Sequence, residues 1–195
     1  FIADEVQPGF ARTGQAFFGF ARHGIVPDMI TMGKPMGNGI PISGLAAKED
    51  VLAAFSDKLP YFNTFGGNPV SIAAAQAVLK YIKDENLQEH CKKAGGALLK
   101  ALKEVQERHP ESVGDVRGAG LFLGFEFVKN DGNKTPDKDM ALNVIEMLRD
   151  EHILTSVIGH YGNILKLRPP MVFSENDIDW FATSLDKCIT KLENK

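Results

Sequence analysis

Cysteine is nearly missing from this 195-residue sequence, which carries Cys91 and Cys188 and no other. The two lie far apart in helical-looking surroundings and read as buried free thiols of a reducing, cytoplasm-like compartment, not as a disulfide framework. No apolar run approaches the ~18 residues that a membrane-spanning helix needs. Neither sign of charge dominates: 22 Lys and Arg stand against 25 Asp and Glu, net −3. The cations are dispersed, so neither nucleic acid nor a membrane surface is an expected partner. The five histidines, His23, His90, His109, His152 and His160, lack metal-ligand spacing. Internal repeats and low-complexity segments are also lacking.

Several motifs fail on inspection. Gly33-Lys34 is not a phosphate-binding Walker loop, because Asp28 stands where the first glycine belongs and Pro35 replaces the Ser or Thr. Gly118-Ala119-Gly120 is not a dinucleotide fingerprint, because Leu123 occupies the place of the third glycine. The strand-to-helix elbow of a serine hydrolase is not found.

What is there suffices for a sizeable core: 44% of the residues are hydrophobic. The chain opens on Phe1-Ile2-Ala3, neither a start Met nor a leader but the middle of a core strand, and the expectation is that a larger N-terminal part precedes it. Asp4 sits where that strand runs out into the Pro8-Gly9 loop. Ile25 to Thr31 repeats the arrangement, with Met29-Ile30 as the buried run and Gly33-Lys34 just past its end. The ~30 residues between Asp4 and Lys34 suit a strand, a crossover and a parallel strand. That places a carboxylate and an amine at the carboxyl edge of one sheet, where α/β proteins bind ligands. An amine and a carboxylate so paired suggest Schiff-base chemistry.

Between them, Phe10, Phe17, Phe18 and Phe20 read as rings packed on the sheet. Pro35 to Ile42 is a glycine-rich turn, Ser43 to Ala47 a strand and Glu49 to Phe55 a helix. The loop Tyr61 to Pro69 leads into an Ala-rich helix, Val70 to Ile82, suited to close contact with a neighbour or a second subunit. The rest, 83–195, reads as a separate small α/β lobe of two or three strands with helices on one face. Leu87, Cys91, Ala94, Leu98, Leu102 and Val105 recur at helical spacing across Gly95-Gly96. Leu121, Leu123, Phe125 and Phe127 alternate as in a strand. Asp137 to Asp150 forms a helix, and Ile153 to Ile158 and Ile164 to Leu167 form strands. Ser174 with Asp177 caps a last helix whose stripe is Ile178, Phe181, Leu185, Cys188 and Leu192.

Three stretches then carry a resemblance. Asp4-Glu5-Val6-Gln7-Pro8-Gly9-Phe10-Ala11-Arg12-Thr13-Gly14, Pro27-Asp28-Met29-Ile30-Thr31-Met32-Gly33-Lys34 and Asn63-Thr64-Phe65-Gly66-Gly67-Asn68-Pro69 resemble the signature of the class III pyridoxal-phosphate aminotransferases. Val113 to Gly118 and Asn163 to Met171 are most similar to the branch holding alanine–glyoxylate aminotransferase 2 and ethanolamine-phosphate phospho-lyase. The likeness covers all 195 residues, less than half of a family chain. It implies the C-terminal part of a fold-type I enzyme: the end of the cofactor-binding large domain over 1–82 and the small C-terminal α/β domain over 83–195.

The resemblance also implies roles. Lys34 would be the Schiff-base lysine and proton carrier of pyridoxal 5'-phosphate. Asp4 would keep the ring nitrogen protonated, Gln7 would bond the ring 3-oxygen and Val6 would pack on a ring face. Thr64 would donate to the phosphate across a homodimer interface, giving a composite pocket, and Arg168 would clamp a substrate α-carboxylate. Arg12 and Arg117 are assigned to structure. Taken alone, these residues also read blandly: a surface lysine, a turn aspartate, a loop amide, core valine, an N-cap threonine and a strand-end arginine. Ala11 departs from the family's usual Gly and Pro8 from a small polar residue, and the family's phosphate-binding turn and stacked aromatic would lie upstream of Phe1. The implied reaction is ping-pong transamination between an amino donor and a 2-oxo acid. The alternatives are a phospho-lyase on an amino-alcohol phosphate, which would not need Arg168, and a catalytically idle truncated chain.

Overall fold

The computed structural model describes residues 1–194. The chain divides into two compact units, Phe1–Glu89 and His90–Lys195. The sequence reading puts the division at 82/83; the structure puts it in the first turn of a helix that begins at Leu87.

The first unit is built on a three-stranded sheet, β1 (Ile2–Asp4), β2 (Met29–Met32) and β3 (Gly44–Ala47), in that order. β1 and β2 run parallel, as a strand, crossover and strand require, and β3 returns antiparallel to β2. The crossover contains no α-helix. It is a set of tight turns ending in a 3₁₀ turn at Gly19–His23, with Phe10, Ala11 and Thr13 buried. Its rings fill the space a helix would take: Phe10 and Phe17 centroids lie 5.4 Å apart, Phe17 and Phe18 4.9 Å, Phe18 and Phe20 5.7 Å. Two short helices follow, α1 (Glu49–Ser56) and α2 (Pro69–Asp84). Asn68 caps α2 by accepting the Ser71 N–H, and Pro69 opens it with a ring already set to the helical angle. Ser71, Ala75 and Ile82 form its buried stripe.

The second unit has a four-stranded antiparallel sheet, β4 (Val113–Ala119), β5 (Phe122–Phe127), β6 (Ser156–Ile158) and β7 (Ile164–Leu167), in the order β4-β5-β7-β6. Two or three strands were expected, and β4 is the addition. Its period is broken by a bulge between Val113 and Asp115 and by Gly114 and Gly118, so alternation alone does not reveal it. The helices are α3 (Leu87–Arg108), α4 (Lys138–Asp150) and α5 (Glu175–Glu193). Leu98 and Leu102 of α3, Val144 and Leu148 of α4 and Leu185 and Ile189 of α5 share one core with Leu123, Phe125, Phe127 and Leu165 of the sheet. Ser174 and Asp177 form the capping box that starts α5.

Gly95 inside α3 has a reason in packing. A Cβ there would lie 2.2 Å from the carbonyl carbon of Gly120, so the helix and the β4–β5 turn meet backbone to backbone. The far ends of α3 and α5 are joined by polar contacts. Buried His109 places Nδ1 2.7 Å from Glu193 and Nε2 3.0 Å from Asp186, while Arg108 donates to Asp186 at 2.7 Å and Ser112 to Glu193 at 2.6 Å. Burial by itself would raise the Asp186 carboxyl, but the hydrogen bonds from Arg108 and His109 outweigh it and hold the group below its ordinary range.

Candidate active site

The parallel pairing of β1 and β2 fixes the central geometry. In register, Asp4 stands beside Thr31, and Lys34 follows Thr31 by three residues at the same end of the sheet. Paired strands lie ~4.8 Å apart and three residues reach at most ~11 Å, so the Cα atoms of Asp4 and Lys34 are within about 16 Å. The loops that follow are closer still: a Cβ on Gly33 would sit 3.8 Å from Val6 Cγ2. Asp4, Val6, Gln7 and Lys34 are therefore gathered at one sheet edge by pairing that follows directly from the sequence.

Local bonds shape that edge. Asp4 Oδ1 accepts the Val6 N–H at 3.0 Å and the Thr31 hydroxyl at 3.4 Å, which turns the chain back at the end of β1. Lys34 opens a 3₁₀ turn, Lys34–Gly37, closed by Met36 N–H donating to Gly33 O at 3.0 Å. Lys34 itself has φ 38°, left-handed backbone that costs a non-glycine residue about 1–2 kcal/mol. The side chain is exposed, and the same left-handed backbone recurs at Phe10, Ala11, Asn38, Asn86, Lys134 and His152.

Thr64 lies in the same unit, on the loop before α2, and is exposed. The loop is held from within: Asn63 Oδ1 accepts the N–H groups of Phe65 at 3.2 Å and Gly66 at 2.9 Å. Ser71 donates its hydroxyl to Pro41 O at 3.1 Å, which ties the start of α2 to the turn beyond Lys34. Around Thr64 the surface is apolar, with Tyr61 73%, Phe62 86% and Phe65 82% exposed.

Arg168 belongs to the second unit, one residue past β7. Its Nη1 donates to Leu123 O at 2.5 Å and Leu167 O at 2.8 Å, and its guanidinium carbon lies 3.4 Å from the centroid of the Phe122 ring. The head is thus fixed by backbone and by cation–π contact. It borders a cavity of about 540 Å³ whose walls include Leu154, Pro170, Phe173 and Trp180, with Lys166 as a second cation. Arg117 bonds Glu126 at 2.5 Å and Asp115 at 2.6 Å, with Glu126 the chief reason its own pKa is raised.

One residue of these surroundings escaped the sequence reading: Glu5, next to Asp4, is only 2% exposed. Alternation along the strand puts Ile164, Lys166 and Arg168 on one face, and Lys166 shares the cavity with Arg168 while Leu165 and Leu167 point into the core. Nothing in the sequence marks Glu5 as buried. Among the described residues there is no His, Cys, Asp and Glu cluster able to hold a metal, and no helix is long and apolar enough to cross a membrane.

Comparison with known proteins accords with this geometry. The family model for class-III aminotransferases matches residues 1–189. Among curated relatives, the ethanolamine-phosphate phospho-lyase homolog 1 of Caenorhabditis elegans is 44% identical over 192 residues, covering 97% of this chain and 41% of that one. The mitochondrial alanine–glyoxylate aminotransferase 2 homolog 2 of Arabidopsis thaliana is 41% identical, with 98% of this chain and 40% of that one covered. Among solved structures, a phospholyase from Arthrobacter in complex with phosphoethanolamine superposes with a TM-score of 0.93 at 39% identity, over 97% of this chain and 44% of that one. A transaminase from the marine bacterium Virgibacillus does so with 0.90 at 32% identity, over 100% of this chain and 45% of that one. The chain thus spans about two fifths of the length of the curated relatives it matches. It belongs to the class III aminotransferases, a family of pyridoxal-phosphate-dependent enzymes.

Proposed function

We infer that this chain supplies the carboxyl-terminal part of a pyridoxal-phosphate-dependent transaminase, moving an amino group between an amino donor and a 2-oxo acid in two half-reactions. The observation that carries the reading is the Asp4–Thr31 register, which brings a carboxylate and a lysine to neighbouring strand ends. That pair fits the cofactor's needs: a carboxylate for the pyridine nitrogen and an amine for the opposite side of the ring. When bound, the cofactor serves as an electron sink for the substrate carbanion.

The chain's own residues then have distinct tasks. Asp4, steadied by the Val6 N–H, holds a proton on the ring nitrogen. Lys34 holds the cofactor and carries a proton to and from the substrate α-carbon. Val6 offers an apolar surface to one ring face, and Gln7 a hydrogen bond to the ring oxygen. Thr64 donates to the phosphate from a second copy of the chain, an arrangement supported by the exposed aromatics that surround it. Arg168, with its guanidinium at the edge of the cavity, grips the substrate carboxylate. The compartment we assign is a reducing one such as the cytoplasm, in keeping with two buried free thiols.

A phospho-lyase acting on an amino-alcohol phosphate is the second reading. It is favoured by the phospho-lyase names among the relatives and by Lys166 beside Arg168. Arginine at 168 suits a carboxylate substrate, and transamination is preferred for that reason. The test is to assay the longer protein containing this chain with alanine and 2-oxo acids against phosphoethanolamine. Transfer of the amino group supports the reading, and acetaldehyde from phosphoethanolamine contradicts it. Native mass checks the dimer: a monomer would remove Thr64 from the site as assigned.

A further inference from the structure

Glu5 is a buried carboxyl that none of the roles above uses. A glutamate at 2% exposure needs partners, because an unsatisfied acidic group inside a protein is costly. Its partners are not cations. Oε2 accepts the Gly19 N–H at 2.7 Å and Oε1 accepts the Phe20 N–H at 2.8 Å. The main chain of the same residue is engaged at both ends: its N–H donates to Thr31 O at 2.9 Å, and its carbonyl accepts the Gly9 N–H at 3.1 Å. Four bonds from one residue therefore join β2, the turn after β1 and the start of the 3₁₀ turn at Gly19.

The space is cut to fit. A Cβ on Gly9 would lie 2.6 Å from Glu5 O, and one on Gly19 would lie 2.7 Å from Pro8 Cβ and 3.3 Å from Oε2. Both glycines leave room for the Glu5 side chain and the backbone that closes over it. Thr31, which Glu5 grips, is also the register partner of Asp4 and stands three residues before Lys34. Along an extended strand adjacent side chains point to opposite faces, so Asp4 is exposed where Glu5 is enclosed.

We propose that Glu5 is a positioning residue: its clasp on Gly19 and Phe20 fixes the backbone that carries Asp4, Val6 and Gln7, and thereby sets how tightly and in what protonation state the site holds pyridoxal phosphate. The proposal rests on the functional reading given above. Glu5→Gln keeps the size of the side chain but turns one acceptor into a donor that meets an N–H head-on. Gly19→Ala leaves Glu5 intact and wedges a methyl group against Pro8, disturbing the same clasp from the other side.

The experiment uses the longer protein that contains this chain, with pyridoxal phosphate as the probe. Three quantities are measured: affinity by visible absorbance titration, the pH midpoint of the bound chromophore, and amide hydrogen exchange. The expected result for Glu5→Gln, with Gly19→Ala as the check should that variant fold poorly, is binding weaker by about tenfold or more, the difference of one charged hydrogen bond. The chromophore midpoint shifts, and exchange of the 4–7 and 19–20 amides accelerates while far-ultraviolet circular dichroism is unchanged. A variant with faster exchange at 19–20 but wild-type affinity and midpoint would reduce Glu5 to a local structural cap and overturn the proposal. If the wild-type longer protein binds no cofactor, it is the functional reading of this chain that fails. Exchange then decides Glu5 separately, and unchanged 4–7 amides in Glu5→Gln would overturn its positioning role as well.

Discussion

In the second unit Leu98, Phe125, Leu148 and Leu185 are 1%, 0%, 0% and 0% exposed, whereas in the first Ile2, Leu45, Phe62 and Phe65 are 58%, 53%, 86% and 82% exposed. One half of the chain covers its own apolar surface with three helices. The other leaves much of its apolar surface outside and is shaped by polar ties: the Glu5 clasp, the Asn63 loop, the Asn68 cap and the Asp28–Lys48 contact at 2.7 Å. The residues proposed to hold the cofactor all sit in that second kind of structure. The denser core and the proposed cofactor contacts thus lie in different units, while the proposed substrate clamp Arg168 belongs to the well-packed one.

The contrast can be broken most directly by emptying the core of the second unit. Phe125→Ala removes a ring that meets Phe127 edge-on at 5.3 Å, and a loss of about 3–5 kcal/mol is expected in denaturant unfolding of that unit. Leu45→Ala on β3, already half in water, should cost under about 1 kcal/mol. Equal losses at the two positions would erase the distinction.

Adjacent glycines of α3 give the next test. Gly95→Ala must push the helix away from Gly120 and is expected to cost about 2 kcal/mol or more, within the range of overpacked sites. Gly96→Ala has nothing within 4 Å and should gain about 0.5–1 kcal/mol through helix propensity. Thermal unfolding of the two variants would have to move in opposite directions.

A smaller effect is expected in the first unit. Ala11 holds φ 66°, the left-handed conformation that explains why the family usually has glycine there. Ala11→Gly should relieve about 1–2 kcal/mol of strain and give back about half in chain entropy, for a net gain of about 0.5–1 kcal/mol in stability, read as a raised melting midpoint. A destabilised variant would mean that the buried methyl group outweighs the strain.

Acid sharpens the comparison least, but with a defined sign. Asp28 is lowered to about 2, first by its hydrogen bond from Lys48, and Asp186 is lowered by Arg108 and His109 against the opposing effect of its burial. A depressed carboxyl stabilises above its ordinary pKa, and the stabilisation is lost as pH falls through the folded value. Both ties should therefore hold at neutral pH and loosen below about pH 4, with Asp28 among the last to protonate. Carboxyl chemical shifts across an acid titration would show it, and an ordinary midpoint for Asp28 would contradict the Lys48 tie.

Much of this was legible in the sequence wherever periodicity or capping reports burial. The α5 capping box, the α3 stripe and the β5 alternation all lead to the elements found. β4 was hidden because a bulge and two glycines break the period that would announce it. In the site, the approach of Asp4 and Lys34 followed from strand logic, since a parallel crossover puts both strand ends on one edge. Thr64 and Arg168 could be named only through resemblance, because no local pattern ties a loop threonine or a strand-end arginine to a distant ligand. Glu5 stayed out of reach for another reason: its partners are backbone N–H groups fourteen and fifteen residues on, and backbone donors carry no signature in sequence.

The central claim is that Asp4 and Lys34 address one pyridine ring. It is tested most directly by incubating the longer protein that contains this chain with pyridoxal phosphate, reducing with borohydride and mapping the adduct by mass spectrometry. The account predicts a cofactor adduct on the peptide bearing Lys34, lost in Lys34→Ala and reduced in occupancy in Asp4→Asn. An adduct spread over surface lysines and indifferent to both substitutions, or none at all, would contradict it and leave the chain catalytically idle.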